Sequence, residues 1–182
     1  MKPLKKLKTE TLIDNKYAKV LADTIELPDG RQKVWYRQDK PDVVMVCPIT
    51  KDGKVILQRD YRYGVDAEMV EFCAGWIDEG ETAESTAHRE LLEETGYKAE
   101  KMTLIGKGVA NPTWSQSVIW FFVAEGCELG DGQHLRGVEQ VEPFMVDNLM
   151  KAKEYIMKEE LPDATSMALF GYLPKEILTQ YS

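Results

Sequence analysis

The sequence predicts a mixed α/β fold, and three kinds of pattern support that prediction. Strand-like runs form two successive hairpins, a glutamate-rich segment has helix-forming composition, and two further helix-forming segments close the chain. With 182 residues, of which 43% are hydrophobic, the chain can bury the core of one ordinary domain with a small appendage. We therefore expect a globular protein with a mixed sheet and flanking helices.

Composition argues against several classes of protein. The net charge of −8 disfavours nucleic-acid binding as the main task, because such proteins normally carry a basic surface. Cys47, Cys73 and Cys127 are scattered and lack CxxC spacing, which predicts neither a disulfide framework nor a zinc site. No apolar run reaches the roughly 20 residues of a membrane helix, and no apolar stretch follows the basic N-terminus. We expect a cytoplasmic protein without a membrane partner.

The first two hairpins are predicted from their turns. The run "KYAKVLADTIELPDGRQKVWYRQD" contains two strand-like stretches joined at Pro28-Asp29-Gly30, and "VVMVCPITKDGKVILQRDYR" repeats the pattern around Asp52-Gly53. Between them, "RQDKPD" is the one candidate boundary. It predicts an N-terminal β-element over residues 1–40 and a larger domain over residues 41–182.

The second half of the chain adds a central strand and two helices. The run "VIWFFVA", Val118 to Ala124, has the length and composition of a fully buried strand, and the Gly-rich "EGCELGDGQHLRGVEQ" after it predicts a long loop. Helices are predicted from Asp147 to about Glu160 and in the apolar segment after Pro162.

The segment "GWIDEGETAESTAHRELLEETGY", Gly75 to Tyr97, predicts a helix that begins after Thr82 and stops at Gly96. Glutamates on a helix usually form its solvated face. At about 100° per residue, however, Glu90 and Glu94 project on the same side as the small Ala83 and Ala87. Glu93 falls at the edge of that arc and Glu84 on the outer side. The projection therefore predicts an inward-facing pair of carboxylates.

Clustered inward carboxylates cannot all stay ionised without compensation, because burial and mutual repulsion raise their pKa values. A hard divalent cation such as Mg²⁺ or Mn²⁺ is the simplest compensation, since it prefers oxygen ligands. Such an ion also supplies the positive charge that an acidic protein needs to hold phosphate. The residues alone thus predict a metal site, but not its reaction.

The same segment resembles the Nudix box. Gly75 is followed after five residues by Glu81, after seven more by Arg89-Glu90-Leu91, and then by Glu93-Glu94 and Gly96-Tyr97. Every fixed position is present, and Tyr97 stands where an aliphatic residue is usual. The resemblance implies a Nudix α/β/α sandwich with a mixed sheet plus the small N-terminal β-element, in a hydrolase of nucleoside diphosphates linked to another moiety.

The resemblance also implies roles for individual residues. The metal ligands would be Glu90 and Glu94, with Glu93 and the backbone carbonyl of Ala74 as further ligands, for Mg²⁺ with Mn²⁺ as a substitute. Arg89 would orient the glutamates through charge-assisted hydrogen bonds.

The surrounding sequence resembles the ADP-ribose and nucleotide-sugar pyrophosphatases. The resemblance rests on Tyr61-Arg62 and on "EFCAG", Glu71 to Gly75, ahead of the box, and on Pro112, 15 residues after Tyr97. It implies that Arg62 binds phosphate, and we assign Glu71 and Pro112 to the substrate site as well. Trp35 and Tyr36 would contact the base, with ordinary strand packing as the alternative for both.

One further residue is implied on the long loop. In that group a loop glutamate positions or deprotonates the attacking water, and "GVEQVEPF" offers Glu139, with Glu142 as the substitute. The resulting hypothesis is a homodimeric, Mg²⁺-dependent hydrolase of nucleoside diphosphate sugars, with ADP-ribose as first candidate. The alternatives are GDP-mannose or another nucleotide sugar, a non-catalytic ligand sensor, and an isomerase on the same fold.

Overall fold

The computed structural model describes residues 3–130, 132–135 and 140–182. The strands are β1 Lys5–Asp14, β2 Lys19–Glu26, β3 Gln32–Gln38, β4 Val43–Thr50, β5 Val55–Arg62, β6 Ala67–Glu71, β7 Cys73–Trp76, β8 Tyr97–Lys98, β9 Lys101–Val109, β10 Val118–Leu129 and β11 Val141–Val146. The helices are α1 Ala83–Glu90, α2 Leu149–Lys158, α3 Ala164–Tyr172 and α4 Lys175–Gln180, and a π-helical turn, Leu91–Thr95, continues α1. Within the described residues, no helix is long and apolar enough to cross a membrane.

Two compact units share the chain. The first contains the residues up to Asp42 together with Val109–Val118, and the second contains Val43–Gly108 and Ile119–Ser182.

The first unit is built on a three-stranded antiparallel sheet in the order β1-β2-β3. The predicted turn joins β2 and β3, where Gly30 adopts φ 82° and its N–H donates to the Leu27 carbonyl at 2.9 Å. β1 was not predicted, because "KKLKTETLID" is charged and its residues are all exposed. Val109–Val118 joins the unit through the Gln38 N–H, which donates to the Trp114 carbonyl at 2.7 Å.

The second unit contains the mixed sheet that the sequence predicts. Its strands run in the order β11-β5-β4-β10-β8, with β6 beside β5, β7 beside β4 and β9 beside β10. β4 and β10 are parallel, with Met45 opposite Phe121, whereas β5 pairs antiparallel with β4, β6 and β11. The predicted buried strand, Val118 to Ala124, is confirmed, since Phe121 and Val123 in β10 are almost inaccessible to solvent. β10 continues to Leu129, so the first five residues of the predicted loop are strand instead. Pro143 lies in β11 at the end of this order, where a missing N–H is tolerated.

Two hydrophobic cores lie on the two faces of this sheet, because side chains alternate along β4. Met45, Cys47 and Ile49 pack with residues of α2 and α3, whereas Val44 and Val46 pack with Ala87 of α1 and Leu91. The unit is therefore the predicted α/β/α sandwich. The helix predicted between Asp147 and Glu160 is confirmed as α2, and the apolar segment after Pro162 forms α3, followed by the unpredicted α4.

An aromatic side chain on α3 covers two glycines of β9. The Tyr172 ring stacks on Phe121 at a centroid distance of 4.8 Å, and its hydroxyl donates to the Lys107 carbonyl at 3.1 Å. A Cβ added at Gly106 would overlap the Tyr172 ring, and one at Gly108 would lie 3.1 Å from its hydroxyl oxygen. The absence of side chains at these two positions therefore lets the ring lie flat on the strand.

Replacement of Gly106 by alanine should lower the free energy of unfolding by about 1–3 kcal/mol, because the new methyl group displaces Tyr172 from a filled site. Urea denaturation measures the change. Gly171→Ala is the control: it lies on α3 beside Tyr172, and its new Cβ has nothing within 4 Å. It should raise stability by up to about 1 kcal/mol. Equal stability of wild type and Gly106→Ala would show that the packing of the Tyr172 ring does not require a glycine at position 106.

Candidate active site

The helix that carries the glutamates begins and ends where the sequence predicts. The Thr82 hydroxyl accepts the Ser85 N–H at 3.1 Å, and the Ser85 hydroxyl accepts the Thr82 N–H at 3.0 Å, which completes a capping box. Gly96 follows the last helical residue with φ 79°, a left-handed conformation that favours glycine. Both ends of the segment are thus fixed by local hydrogen bonds and backbone geometry.

The helix changes its pitch in the middle of the glutamate cluster. α1 ends at Glu90, and Leu91–Thr95 forms a π-helical turn, which the uniform projection did not predict. The i→i+5 hydrogen bonds of a π-helix widen the turn. Side chains four residues apart therefore align more closely on one face than they do in an α-helix. Glu90 and Glu94 are 9% and 7% exposed, so both carboxylates face inward as the projection predicts. Glu84 is exposed.

Arg89 bonds to three of the box glutamates at once. Its Nε and Nη2 donate to the two carboxylate oxygens of Glu81 at 2.9 and 2.8 Å. Its Nη1 donates to Glu90 Oε1 at 2.6 Å and to Glu93 Oε2 at 3.1 Å. Nη2 also reaches the Trp76 carbonyl at 3.0 Å, which ties the helix to β7. The hydrogen bonds from Arg89 lower the pKa of Glu81 to about 2.

Glu94 is held differently, by neutral donors. The Gln58 Nε2 and the Ala74 N–H both donate to Glu94 Oε2, at 3.2 and 3.0 Å. Among the described residues, no ammonium or guanidinium lies within ion-pairing distance of this carboxylate. Burial, followed by repulsion from Glu90, raises the pKa of Glu94 to about 8.

The backbone of β7 touches the carboxylates directly. A Cβ at Gly75 would overlap the Glu90 carboxylate, so only glycine leaves room for that side chain. The adjacent Ala74 supplies the N–H to Glu94. The Ala74-Gly75 backbone and the two buried carboxylates therefore form one compact site.

Arg62 and Glu71 form a second charged group on the same sheet face as Gln58. Arg62 donates to Glu71 through Nε and Nη2 and pairs with Asp60 at 3.0 Å through Nη1. Burial raises the pKa of Glu71, and the Arg62 contacts oppose that rise. The Arg62 side chain is nevertheless 44% exposed.

The other predicted substrate residues lie in the first unit. Trp35 and Tyr36 are neighbours on β3 and so point to opposite faces of the three-stranded sheet. The Trp35 indole donates to the Thr113 carbonyl at 3.1 Å, next to the exposed Pro112. Trp35 therefore has a fixed orientation, whereas Tyr36 is 52% exposed.

The two candidate loop glutamates differ in what the structure describes. Glu139 lies outside the described residues. Glu142 lies in β11 directly opposite Arg59, whereas Pro143 lies opposite Gln58. Because side chains alternate, the Glu142 side chain is on the sheet face away from Gln58 and Glu94.

Gln58 and Asp60 were not identified from the sequence; they lie in β5 on the same sheet face as Arg62 and Glu71. Gln58 is 0% exposed, although it follows Val55, Ile56 and Leu57 in the same strand. A polar residue in an otherwise apolar buried run was the available signal. Its partner on a distant helix could not be inferred from spacing within the strand.

The donor set suits a hard divalent cation. Within the described ranges, no three His, Cys, Asp or Glu side chains already form a closed ligand set. The buried Glu90 and Glu94 carboxylates and the Ala74-Gly75 backbone nevertheless offer only oxygen ligands on one small surface. Glu94 has no charged partner among the described residues, and the buried Gln58 Oε1 has no hydrogen-bond partner among them. A cation would compensate the charge of such a site.

Comparison with known proteins identifies the class. The model of the NUDIX domain matches residues 39–164, and the nucleoside diphosphate sugar hydrolase N-terminal domain matches residues 4–37. The chain therefore belongs to the Nudix family, and it is a Nudix hydrolase acting on nucleoside diphosphate derivatives. Nudix hydrolases generally use divalent metal ions, in keeping with the donor set.

Individual relatives cover most of the chain. The methanol dehydrogenase activator of Bacillus methanolicus is 31% identical over 93% of this chain and 91% of its own length. The ADP-ribose pyrophosphatase of Bacillus subtilis is 28% identical with the same coverage of both chains. A crystal structure of an ADP compounds hydrolase superposes with a TM-score of 0.85 at 23% identity, over 99% of this chain and 97% of that one, which shows the shared fold.

The raised pKa of Glu94 predicts a pH dependence in protein free of divalent cations. A carboxyl group whose pKa is higher in the folded state stabilises fully below its unfolded pKa, and this stabilisation is lost as the pH rises through the folded pKa. The free energy of unfolding should therefore fall between about pH 4.5 and pH 8. Glu94→Gln should flatten this fall in urea denaturation with a chelator present.

Glu84→Gln is the matched control, since it removes an exposed carboxylate from the same helix. It should keep the wild-type slope. Parallel pH profiles for wild type and Glu94→Gln would contradict the raised pKa.

Proposed function

We propose that this chain is a Mg²⁺-dependent hydrolase that splits the diphosphate of nucleoside diphosphate sugars, with ADP-ribose as the first candidate. The observation that carries the proposal is the burial of Glu90 and Glu94 side by side against the Gly75 backbone. Arg89 balances the charge of Glu90, but Glu94 is bonded only to neutral donors, so the pair needs a further cation to be stable in fully ionised form. A divalent cation at this place can also hold a diphosphate. The products would be a nucleoside monophosphate and a sugar phosphate.

Four groups would hold the metal: the carboxylates of Glu90, Glu93 and Glu94 and the carbonyl of Ala74. When bound, Mg²⁺ supplies positive charge to the diphosphate oxygens and to the leaving group. Arg89 keeps Glu90 and Glu93 in place, because Glu81 anchors its guanidinium from the other side. Glu94 receives no such ion pair and is positioned by β5 and β7.

Arg62 would bind a phosphate oxygen of the substrate. Its guanidinium bonds to Glu71 and Asp60, and its side chain remains 44% exposed. Glu71 thus serves the substrate indirectly, by fixing the direction of Arg62. Burial of Glu71 favours this arrangement, since a buried carboxylate needs the Arg62 charge.

The nucleotide-sugar substrate is supported by the relatives and by the N-terminal region. Relatives bear the names ADP-ribose pyrophosphatase and, at 31% identity over 65% of this chain, ADP compounds hydrolase NudE of Escherichia coli. In our proposal Trp35, Tyr36 and Pro112 contact the base, and the N-terminal β-element over residues 1–40 joins two copies into a homodimer. The exposed apolar Leu4, Leu7, Leu12 and Ile13 on and beside β1 favour such an interface.

A different nucleotide sugar is the main alternative. The GDP-mannose pyrophosphatase of Escherichia coli is 29% identical over 68% of this chain and 68% of its own length. That coverage is smaller than that of the ADP-ribose pyrophosphatase, which favours the adenosine compound. A non-catalytic sensor is disfavoured because Glu90, Glu93 and Glu94 are all present.

A substrate panel tests the reaction. With Mg²⁺, phosphate analysis or chromatography should show turnover of ADP-ribose above ADP-glucose, GDP-mannose, NADH, dinucleoside polyphosphates and nucleoside triphosphates. Glu94→Gln should reduce kcat by at least about 100-fold with the fold intact, because it removes a ligand charge. Glu84→Gln should keep wild-type activity. Failure to hydrolyse any diphosphate would refute the proposal, and full activity of Glu94→Gln would refute the metal assignment.

The residue that activates water is tested by two matched variants. We propose Glu139 for this role, so Glu139→Gln should lower kcat by about 10²–10⁴-fold with little change in KM. Glu142→Gln should change kcat little, because β11 directs Glu142 to the opposite sheet face. The reverse ranking of the two variants would transfer the role to Glu142.

A further inference from the structure

Gln58 is a buried polar residue that stability does not explain. It is 0% exposed, and Ile56 and Leu57 before it in β5 are each 1% exposed. Its Oε1 is buried and has no hydrogen-bond partner among the described residues. An unsatisfied buried acceptor costs about 1–3 kcal/mol, so an apolar side chain of the same size would serve the core better.

Among the described residues, the Gln58 side chain makes one polar contact, and it leads to the active site. Nε2 donates to Glu94 Oε2 at 3.2 Å, and the Ala74 N–H donates to the same oxygen at 3.0 Å. Two donors on one oxygen, from β5 and from β7, fix both the rotamer and the plane of the carboxylate. Within the described chain, Glu94 Oε1 receives no protein donor.

The chemistry of the amide suits this place. An ionised carboxylate only accepts hydrogen bonds, so Gln58 must present its N–H and not its carbonyl to Glu94. The amide is also neutral, and therefore it orients Glu94 without placing a positive charge next to the cation. Arg89 fixes Glu90 and Glu93 by charge, but a second guanidinium at Glu94 would repel the metal.

We propose that Gln58 is a positioning residue for the metal site, which together with the Ala74 N–H holds Glu94 Oε2 so that Oε1 alone is offered to the cation. This inference rests on the proposed function, because it requires Glu94 to be a metal ligand. Glu94 is then a monodentate ligand through Oε1.

Two roles of Gln58 predict opposite results. If Gln58 only supports the fold, its replacement lowers stability and leaves the affinity for metal unchanged. If it positions Glu94, replacement lowers the affinity for metal, while stability of the metal-free protein stays the same or rises. An apolar side chain lacks the donor to Glu94, which lowers the affinity for metal. It also lacks the unsatisfied Oε1, which offsets any loss of stability.

The test uses Gln58→Met, which keeps the length of the side chain and removes the N–H. Mn²⁺ is added to the whole protein at a fixed pH, and electron paramagnetic resonance measures the unbound Mn²⁺. The stability of the metal-free protein is measured by urea denaturation with a chelator present. We expect the Kd for Mn²⁺ to rise about 10- to 100-fold, as for other residues that orient metal ligands. Leu57→Met is the control, because it is a volume-conserving change at the preceding position of β5, and it should keep the wild-type Kd.

Each outcome bears on the inference. A wild-type Kd in Gln58→Met overturns it, and so does a protein that fails to fold, since the amide should be dispensable for folding. Gln58→Leu removes the same N–H with a different shape and must give the same weakened binding. Wild type that binds no Mn²⁺, or Glu94→Gln that binds it equally well, refutes the proposed function itself, whereas a normal Gln58→Met beside a defective Glu94→Gln refutes only the role of Gln58.

Discussion

The site depends on how one guanidinium is shared. Arg89 donates hydrogen bonds to Glu81, Glu90, Glu93 and the Trp76 carbonyl. These contacts connect the segment before α1, the helix itself and β7. Without this charge, several carboxylates held so close together on a partly buried surface would repel one another and take up protons. The capping box, the Gly75 gap and the sheet order all serve to bring these groups within its reach.

The carboxylates nevertheless differ in character because their partners differ. Glu81 bonds to Arg89 and has a pKa of about 2, so it stays ionised and acts as an anchor. Glu94 bonds to two neutral donors in a buried position, and its pKa of about 8 marks a site where negative charge is unfavourable until positive charge arrives. The same residue type is thus used for an ion pair at Glu81 and for a buried carboxylate at Glu94 that bonds only to neutral donors among the described residues.

Local rules predicted much of this from the sequence. Thr82 and Gly96 mark the helix because capping is decided by neighbouring residues. The uniform projection places Glu90 and Glu94 inward, and both are buried even though the π-helical turn departs from uniform pitch. What the sequence did not reveal depends on tertiary contact. β1 is a strand through its pairing with β2 despite a charged, exposed sequence. The bond from Gln58 to Glu94 joins residues that are 36 positions apart, and no periodicity within β5 or the π-helical turn indicates it.

The π-helical turn limits how this protein can vary in length. Substitution at the half-buried Leu92 changes neither the spacing nor the direction of the carboxylates around it. Deletion or insertion of one residue between Glu90 and Glu94 would turn the Glu94 side chain by roughly 100° relative to Glu90 and remove it from its donors on β5 and β7. Homologous chains that keep the site should therefore differ by point changes in this segment, and insertions and deletions should accumulate elsewhere.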